Sequence, residues 1–329
     1  YNKYPFVPSN EEKREERCKE IINIQSSALA KRLKHTNIKK CVVGVSGGLD
    51  STLAFLVIKQ AFEKLKIDNK NIIAVTMPGF GTTDRTYKNA IDLIKINDAT
   101  LIEVDIKKAC LVHYSDIGQD INKHDITYEN AQARERTKIL MDIANKENAL
   151  VIGTGDLSEL ALGWCTYNGD HMSMYSVNSS IPKTLVKYLV KYIADTDRKN
   201  KKVLYDILST PISPELLPAD EKGNIKQITE DKIGPYMLHD FYLYHFLRYG
   251  ASPKKIYMLA IDTFSSEYSK EEILKWLKVF LKRFFTQQFK RSCMPDGVKV
   301  GSISLSPRGD LRMPSDASYD IWIKELEEI

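Results

Sequence analysis

The chain has 329 residues, 43% hydrophobic and 28% charged, with 48 lysines and arginines against 43 aspartates and glutamates and a net charge of +5 at pH 7. That balance fits a globular chain with a sizeable core, and the mild positive excess suits an anionic small ligand while falling short of a nucleic-acid footprint. No apolar run approaches the roughly 18 residues of a membrane helix, and the opening YNKYPFVPSNEEKREER lacks a signal-peptide core, so a cytoplasmic protein is expected.

The first predicted element is a long amphipathic helix in SNEEKREERCKEIINIQSSALAKRLKHT, with Ser9 as its N-cap and Ile21, Ile24, Leu29 and Leu33 on its apolar face. KKCVVGVS then reads as a buried strand, and DSTLAFLVIKQAFEKLKI follows at once as a helix turning Leu53, Leu56, Val57 and Ala61 inward. The unit recurs as NIIAVTM with TDRTYKNAIDLIKIND, ATLIEVDI with TYENAQARERTKILMDIANKEN, and ALVIGTG with DLSELALG. Nearly all-apolar strands alternating with helices predict an α/β fold, a doubly wound parallel sheet covered on both faces. From Pro182 the pattern is helical, in PKTLVKYLVKYIADT, MLHDFYLYHFLRYG and KEEILKWLKVFLKRFFTQQFKR, with the Pro/Gly-rich interval TPISPELLPADEKGN after the first. No strand is expected there, and these helices fit either a small second domain or a dimerisation surface. The five cysteines, Cys18, Cys41, Cys110, Cys165 and Cys293, are widely spaced without a C-x-x-C pair, so they are expected to be free thiols.

In such a sheet ligands bind beyond the carboxyl ends of the strands, which directs attention to residues 46–51, 77–84, 105 onward and 154–159. The stretch VVGVSGGLDST, residues 42–52, has no G-x-x-x-x-G-K-[ST] and no G-x-G-x-x-G, so it is neither a Walker A loop nor a dinucleotide fingerprint. What remains is a nest in which Gly47 and Gly48 let the backbone of residues Gly44, Val45, Ser46 and Leu49 close around an anion at a helix N-terminus, helped by the hydroxyls of Ser46, Ser51 and Thr52. Pyrophosphate suits that nest. Asp50 would repel phosphates unless a divalent cation intervenes, so it implies Mg²⁺. The competing reading is an ordinary β–α turn with glycines for geometry and Asp50 as a helix cap.

S-G-G-x-D-S after a valine-rich strand resembles the pyrophosphate loop of the N-type ATP pyrophosphatases, which cleave ATP between its α and β phosphates. That resemblance implies an adenine nucleotide alpha hydrolase-like, Rossmann-like sheet. VIGTGDLSELALGWCTYNGDHMSMYSVN resembles the matching segment of NAD synthetases, and by that resemblance Thr154 contacts ATP while Glu159 joins Asp50 on Mg²⁺ and lies near deamido-NAD. A solvated helix position is the competing reading of Glu159. YENAQARERTKIL resembles the family's N-x-x-x-A-R-x-R segment, which places Asn130 and Arg134 on deamido-NAD; a solvated charged face is the alternative. GWCTYNGDH matches the substrate-lining segment of the longer, glutamine-dependent members, with Trp164, Cys165, Thr166 and Tyr167 toward deamido-NAD, core packing being the alternative for the two rings. Asp170 corresponds to the aspartate near the ammonia site, where it accepts a proton.

By the same resemblance Lys183 neutralises ATP phosphates, and Lys290 is the lysine of a terminal H-K pair that reaches the substrate. Phe289 replaces the histidine of that pair, leaving His113, His124 and His171 as candidate substitutes. The acidic pair that short members carry after the second strand is altered here to Asp84-Arg85. The likeness covers essentially all of residues 1–329 as one synthetase domain, with 1–36 its N-terminal helix and 182–329 its helical part, and is closest to the synthetase half of glutamine-dependent enzymes. In those a glutaminase precedes and feeds ammonia. The chain starts at Tyr1, and YPFVPS resembles the segment after the glutaminase, so a trimmed or processed piece lacking that domain is expected. RGD at 308–310 reads as a turn.

The implied activity is amide formation: the nicotinate carboxylate of deamido-NAD attacks the α-phosphorus of ATP, pyrophosphate leaves, and ammonia displaces AMP to give NAD⁺. The catalytic set is then Asp50, Glu159, Asp170 and Lys183, and a homodimer is implied. Rival readings are another ATP pyrophosphatase of the GMP-synthetase or tRNA-modifying type, or a non-catalytic nucleotide-binding protein. Missing cysteine pairs and the weak basic field speak against the tRNA enzymes, and retention of both carboxylates speaks against a mere sensor.

Overall fold

The computed structural model describes residues 1–213, 216–218 and 229–329; most of the Pro/Gly-rich interval at 210–224 lies outside the described residues. The strands are β1 Cys41–Gly44, β2 Ile72–Thr76, β3 Thr100–Glu103, β4 Leu150–Gly153 and β5 Tyr175–Ser176. The helices are α1 Glu11–Thr36, α2 Leu49–Leu65, α3 Asp84–Ile96, α4 Lys107–Ile117, α5 Ile126–Glu147, α6 Leu157–Leu162, α7 Lys183–Thr196, α8 Lys201–Leu208, α9 Thr229–Ile233, α10 Tyr236–Tyr249, α11 Pro253–Phe264, α12 Lys270–Thr286, α13 Gln288–Ser292 and α14 Asp320–Glu327.

All pairings are parallel, in the order β3-β2-β1-β4-β5. The twofold alternation of a strand sorts its side chains to two faces. Cys41, Val43, Ile72, Ala74, Leu150 and Ile152 pack on one side with Leu29 and Leu33 of α1, Leu53 and Val57 of α2, and Leu185 and Leu189 of α7. Val42, Ile73, Val75 and Val151 pack on the other with Cys110 and Tyr114 of α4 and Tyr128 and Ala131 of α5. Burial on both faces explains the continuous apolar runs of β1, β2 and β4. A third, aromatic core gathers α6 with α10, α11, α12 and α14, around Phe241, Phe264, Phe280 and Phe284.

Four features depart from the sequence reading. Asn10, not Ser9, caps α1, its side chain accepting from the Lys13 amide, and the buried stripe of that helix runs through Cys18, Ile22, Leu29 and Leu33, so Ile24 turns partly outward. β5 is a fifth strand, held by register with Ile152 and Gly153 and bridged to Gly297. α4 was not foreseen, and α8, α11 and α14 join the three C-terminal helices that were. β3 is an edge with Thr100 and Glu103 exposed. No helix among the described residues is long and apolar enough to cross a membrane.

Candidate active site

The chain leaves β1 for β2 on one side of the sheet, while β4 pairs with β1 on the other. The crevice between the carboxyl ends of β1 and β4 is therefore the switch point where open α/β sheets hold ligands. The loops meeting there are residues 45–48 and 154–156.

Only four residues join β1 to α2. Gly47 has φ +85°, and a Cβ on it would stand 2.1 Å from the Thr86 carbonyl oxygen, so the first turn of α3 closes on bare backbone. The Ser46 and Ser51 hydroxyls lie 3.1 Å apart. Ser51 Oγ donates to the Gly48 carbonyl at 3.1 Å and accepts from the Ser46 amide at 3.2 Å, while Ser46 Oγ accepts from the Gly48 amide at 3.2 Å. Both hydroxyls thus brace the turn from within, and Thr52 is fully buried. Gly48 caps α2 without a side-chain hydrogen bond, which leaves the positive end of that helix to an incoming anion.

Opposite the turn, Lys183 opens α7 with 2% exposure. Its Nζ lies 2.5 Å from Asp50 Oδ2, 2.9 Å from Asp156 Oδ2 and 3.0 Å from Glu159 Oε1. Burial alone would pull the ammonium down, but Asp156, Asp50 and Glu159 outweigh it and hold its pKa well above the ordinary value. Burial raises Asp156 well above the carboxylate range and Glu159 to about 7, each against the pull of Lys183. Asp156 and Glu159 also form a capping box at the start of α6: Asp156 Oδ1 accepts from the Glu159 amide at 2.7 Å, and Glu159 Oε2 from the Asp156 amide at 3.3 Å. Carboxylate oxygens of Asp50, Asp156 and Glu159 lie within 4.8 Å of one another, a hard-oxygen set suited to a divalent cation. Asn178, fully buried, donates to the Asp50 and Thr154 carbonyls at 3.0 and 3.1 Å and so ties the two loops together.

The remaining expected residues gather beside this cluster. α5 sets Asn130 and Arg134 one turn apart; Asn130 Oδ1 accepts from the Thr166 hydroxyl at 2.7 Å, and Arg134 Nε donates to the Tyr167 carbonyl at 3.2 Å. Asp170 is exposed at the surface, but its carboxyl end faces inward: Oδ1 accepts from the Thr166 amide at 2.7 Å, and the protein packed around the carboxyl raises its pKa by desolvation. Glu159, Cys165, Asp170, His171 and Ser173 line a small cavity of about 20 Å³.

Three further positions have defined contacts. Trp164 is half-buried, with the Arg283 guanidinium 5.3 Å from its ring centre. Lys290 Nζ donates to the Gly163 and Cys165 carbonyls at 2.7 Å each, so it holds the segment's backbone. Arg85 turns away to Asp206, at 2.8 Å, and Ser209. Among the histidines, His171 stacks on Tyr167, which contacts Phe289, whereas His113 is exposed on α4 and His124 lies on Tyr128. The RGD tripeptide is a turn, with Arg308 on the Met294 and Pro295 carbonyls.

Asp156 escaped the sequence reading, although D-x-x-E ahead of an apolar run is a capping-box signature. Asp240 escaped it too. It is fully buried, accepts from the Thr184 amide and hydroxyl at 3.0 and 2.7 Å and from the Ser158 hydroxyl, and so joins the starts of α6 and α7; burial pushes its carboxyl up to about 6. Nothing local in the sequence singles it out.

The chain resembles known proteins along most of its length. The family model for NAD synthase matches residues 21–279. A glutamine-dependent NAD(+) synthetase of Mycobacterium leprae is 42% identical over 99% of this chain and 52% of its own length, and one of Mycobacterium tuberculosis strain H37Rv is 41% identical over 99% and 51%. The chain thus spans about half the length of the curated relatives it matches. The crystal structure of a glutamine-dependent NAD(+) synthetase from Cytophaga hutchinsonii matches with a TM-score of 0.77 at 19% identity, over 95% of this chain and 56% of that one. The NMN synthetase of Francisella tularensis matches at 0.62 and 20% identity, over 82% and 95%. The two structures share the fold, and the family model shares the sequence pattern: the chain belongs to the NAD synthase family.

Proposed function

We propose that this chain is the amide-forming half of an NAD⁺ synthetase, using ATP to activate the nicotinate carboxylate of deamido-NAD and ammonia to displace AMP. The observation that supports the reading is the meeting of the glycine turn at 45–48 with the Lys183–Asp50–Asp156–Glu159 cluster. Backbone amides at the start of α2 bind the β and γ phosphates, and Lys183 and Thr154 orient the triphosphate. Mg²⁺, held by Asp50, Asp156 and Glu159, supplies charge neutralisation for the departing pyrophosphate when bound.

A free carboxylate is a poor acyl electrophile, and adenylation gives it a leaving group. Asn130, Arg134, Trp164, Cys165, Thr166 and Tyr167 hold the dinucleotide beside the cluster, with Lys290 fixing the backbone of that segment. Asp170 takes a proton from ammonium, the freed nitrogen attacks the acyl carbon, and AMP departs. The work is positional and electrostatic and needs no protein nucleophile. The relatives' names support glutamine as the ultimate nitrogen source, delivered by a glutaminase domain or subunit, and we infer a homodimer in the cytoplasm.

The test is a coupled assay with deamido-NAD, ATP and ammonium. NAD⁺, AMP and pyrophosphate should appear in equal amounts, whereas ADP and orthophosphate would overturn the reading.

A further inference from the structure

The ammonium of Lys183 touches the same three carboxylates that would hold the cation. Its contacts of 2.5 to 3.0 Å are ammonium distances, longer than the roughly 2.1 Å that Mg²⁺ requires of its oxygens. An ion drawing those oxygens inward would share their centre with a second positive charge. Burial makes that sharing costly, because Lys183, Asp156 and Tyr236 are all at most 2% exposed.

The site is also incomplete as it stands. Asp50 Oδ1 and the Tyr236 hydroxyl are buried without a hydrogen-bond partner, and Asp156 Oδ2 meets the ammonium outside hydrogen-bond geometry. The Tyr236 ring lies 5.2 Å from Lys183 Nζ. Unpartnered polar atoms around a buried charge mark a place made for something more.

We propose that Lys183 is an internal counterion that holds the place of the divalent cation, so that the metal enters with the polyphosphate and not before it. The anion arriving at the start of α2 offers the ammonium a new partner next to Asp50. Lys183 then moves to phosphate, and Asp50, Asp156 and Glu159 close on the cation. This rests on the reading of residues 45–51 as a polyphosphate turn.

The experiment measures Mn²⁺ binding to the protein by the loss of the free-ion electron paramagnetic resonance signal, without nucleotide. Lys183→Met should bind Mn²⁺ at least tenfold tighter than the unaltered protein, and Lys183→Arg, which keeps the charge, should stay at the unaltered affinity. Should the Met variant fold only with metal, its Tm must rise with Mn²⁺ far more than that of the unaltered protein. Equal affinity in the Met variant and the unaltered protein, or an equal rise in Tm, overturns the proposal. A parallel titration with an ATP analogue carrying a methylene bridge between its α and β phosphorus atoms separates the two readings. If the analogue binds with Mn²⁺ while Mn²⁺ affinity ignores Lys183, only the counterion role falls; if neither analogue nor Mn²⁺ binds, both readings fall.

Discussion

Two adjacent glycines in the turn after β1 should answer very differently to the same methyl group. At Gly47 an added Cβ meets the Thr86 carbonyl oxygen at 2.1 Å, its carbon at 2.9 Å and its Cα at 3.2 Å, with φ at +85°. The dihedral alone costs an L-residue about 1–2 kcal/mol. Relief of the contact needs a shift of about 1 Å in backbone on one side or the other, since Thr86 is 3% exposed and tied to Thr83 by its hydroxyl on the Thr83 carbonyl at 3.1 Å. Gly47→Ala should therefore cost about 2–4 kcal/mol, a loss of several degrees in Tm, and should abolish binding of the methylene ATP analogue. At Gly48 the nearest atom to a Cβ is Ser46 Oγ at 3.4 Å and φ is −90°, so Gly48→Ala should stay within about 1 kcal/mol. Thermal melts and calorimetric titration of both variants check the contrast. Equal effects, or a Gly47→Ala protein that melts and binds like the unaltered chain, would refute the claim that backbone closure shapes this turn.

On the proposed function, Asp50→Asn should leave the melting curve close to that of the unaltered chain, yet lower ammonium-dependent NAD⁺ formation at least about a hundredfold, because it removes a carboxylate from the proposed cation set. Arg291 is fully buried, with Nη1 on the Leu160 and Ala161 carbonyls at 3.0 Å each; Arg291→Leu strands those acceptors and should cost about 3–5 kcal/mol in urea unfolding. Burial lowers His239 from 6.5 to about 4, its Nε2 donating to the Ile233 carbonyl at 2.7 Å while Nδ1 has no partner. Folding thus favours its neutral form, so its contribution is complete above pH 6.5 and is lost on acidification, by about 2 kcal/mol between pH 7 and 5. Subtracting the stability profile of His239→Gln from that of the unaltered chain isolates this effect from Asp240, whose raised carboxyl acts in the opposite sense; a flat difference would contradict it.

Much of the architecture was legible because its signals are local. Strands buried on both faces must be nearly all apolar, and Cys41–Gly44 and Ile72–Thr76 are so in the sequence itself. The turn at 45–48 was legible for the same reason, since a chain with positive φ beside a neighbouring backbone requires glycine in place. β5 was not, because two residues in a polar stretch become a strand only through pairing with Ile152 and Gly153. α4 buries just Cys110 and Tyr114 while Leu111 and Val112 face outward, so its periodicity misleads. The cluster partners Asp156 and Asp240 lie on separate elements, and no spacing rule links position 240 to 158 and 184. Lys290, placed toward the substrate by resemblance alone, donates to the Gly163 and Cys165 carbonyls, contacts that no local pattern signals.

α6 has only six residues, too few to hold a helical shape unaided in water. Its far end is fastened by cations from much later in the chain, Arg283 on the Leu162 carbonyl at 2.8 Å, Arg291 on Leu160 and Ala161, and Lys290 just beyond on Gly163. Glu159 therefore owes its aim to the third, aromatic core, while the glycine turn owes its shape to the sheet. Damage confined to the aromatic core should accordingly yield a protein that still captures a nucleotide but no longer turns it over.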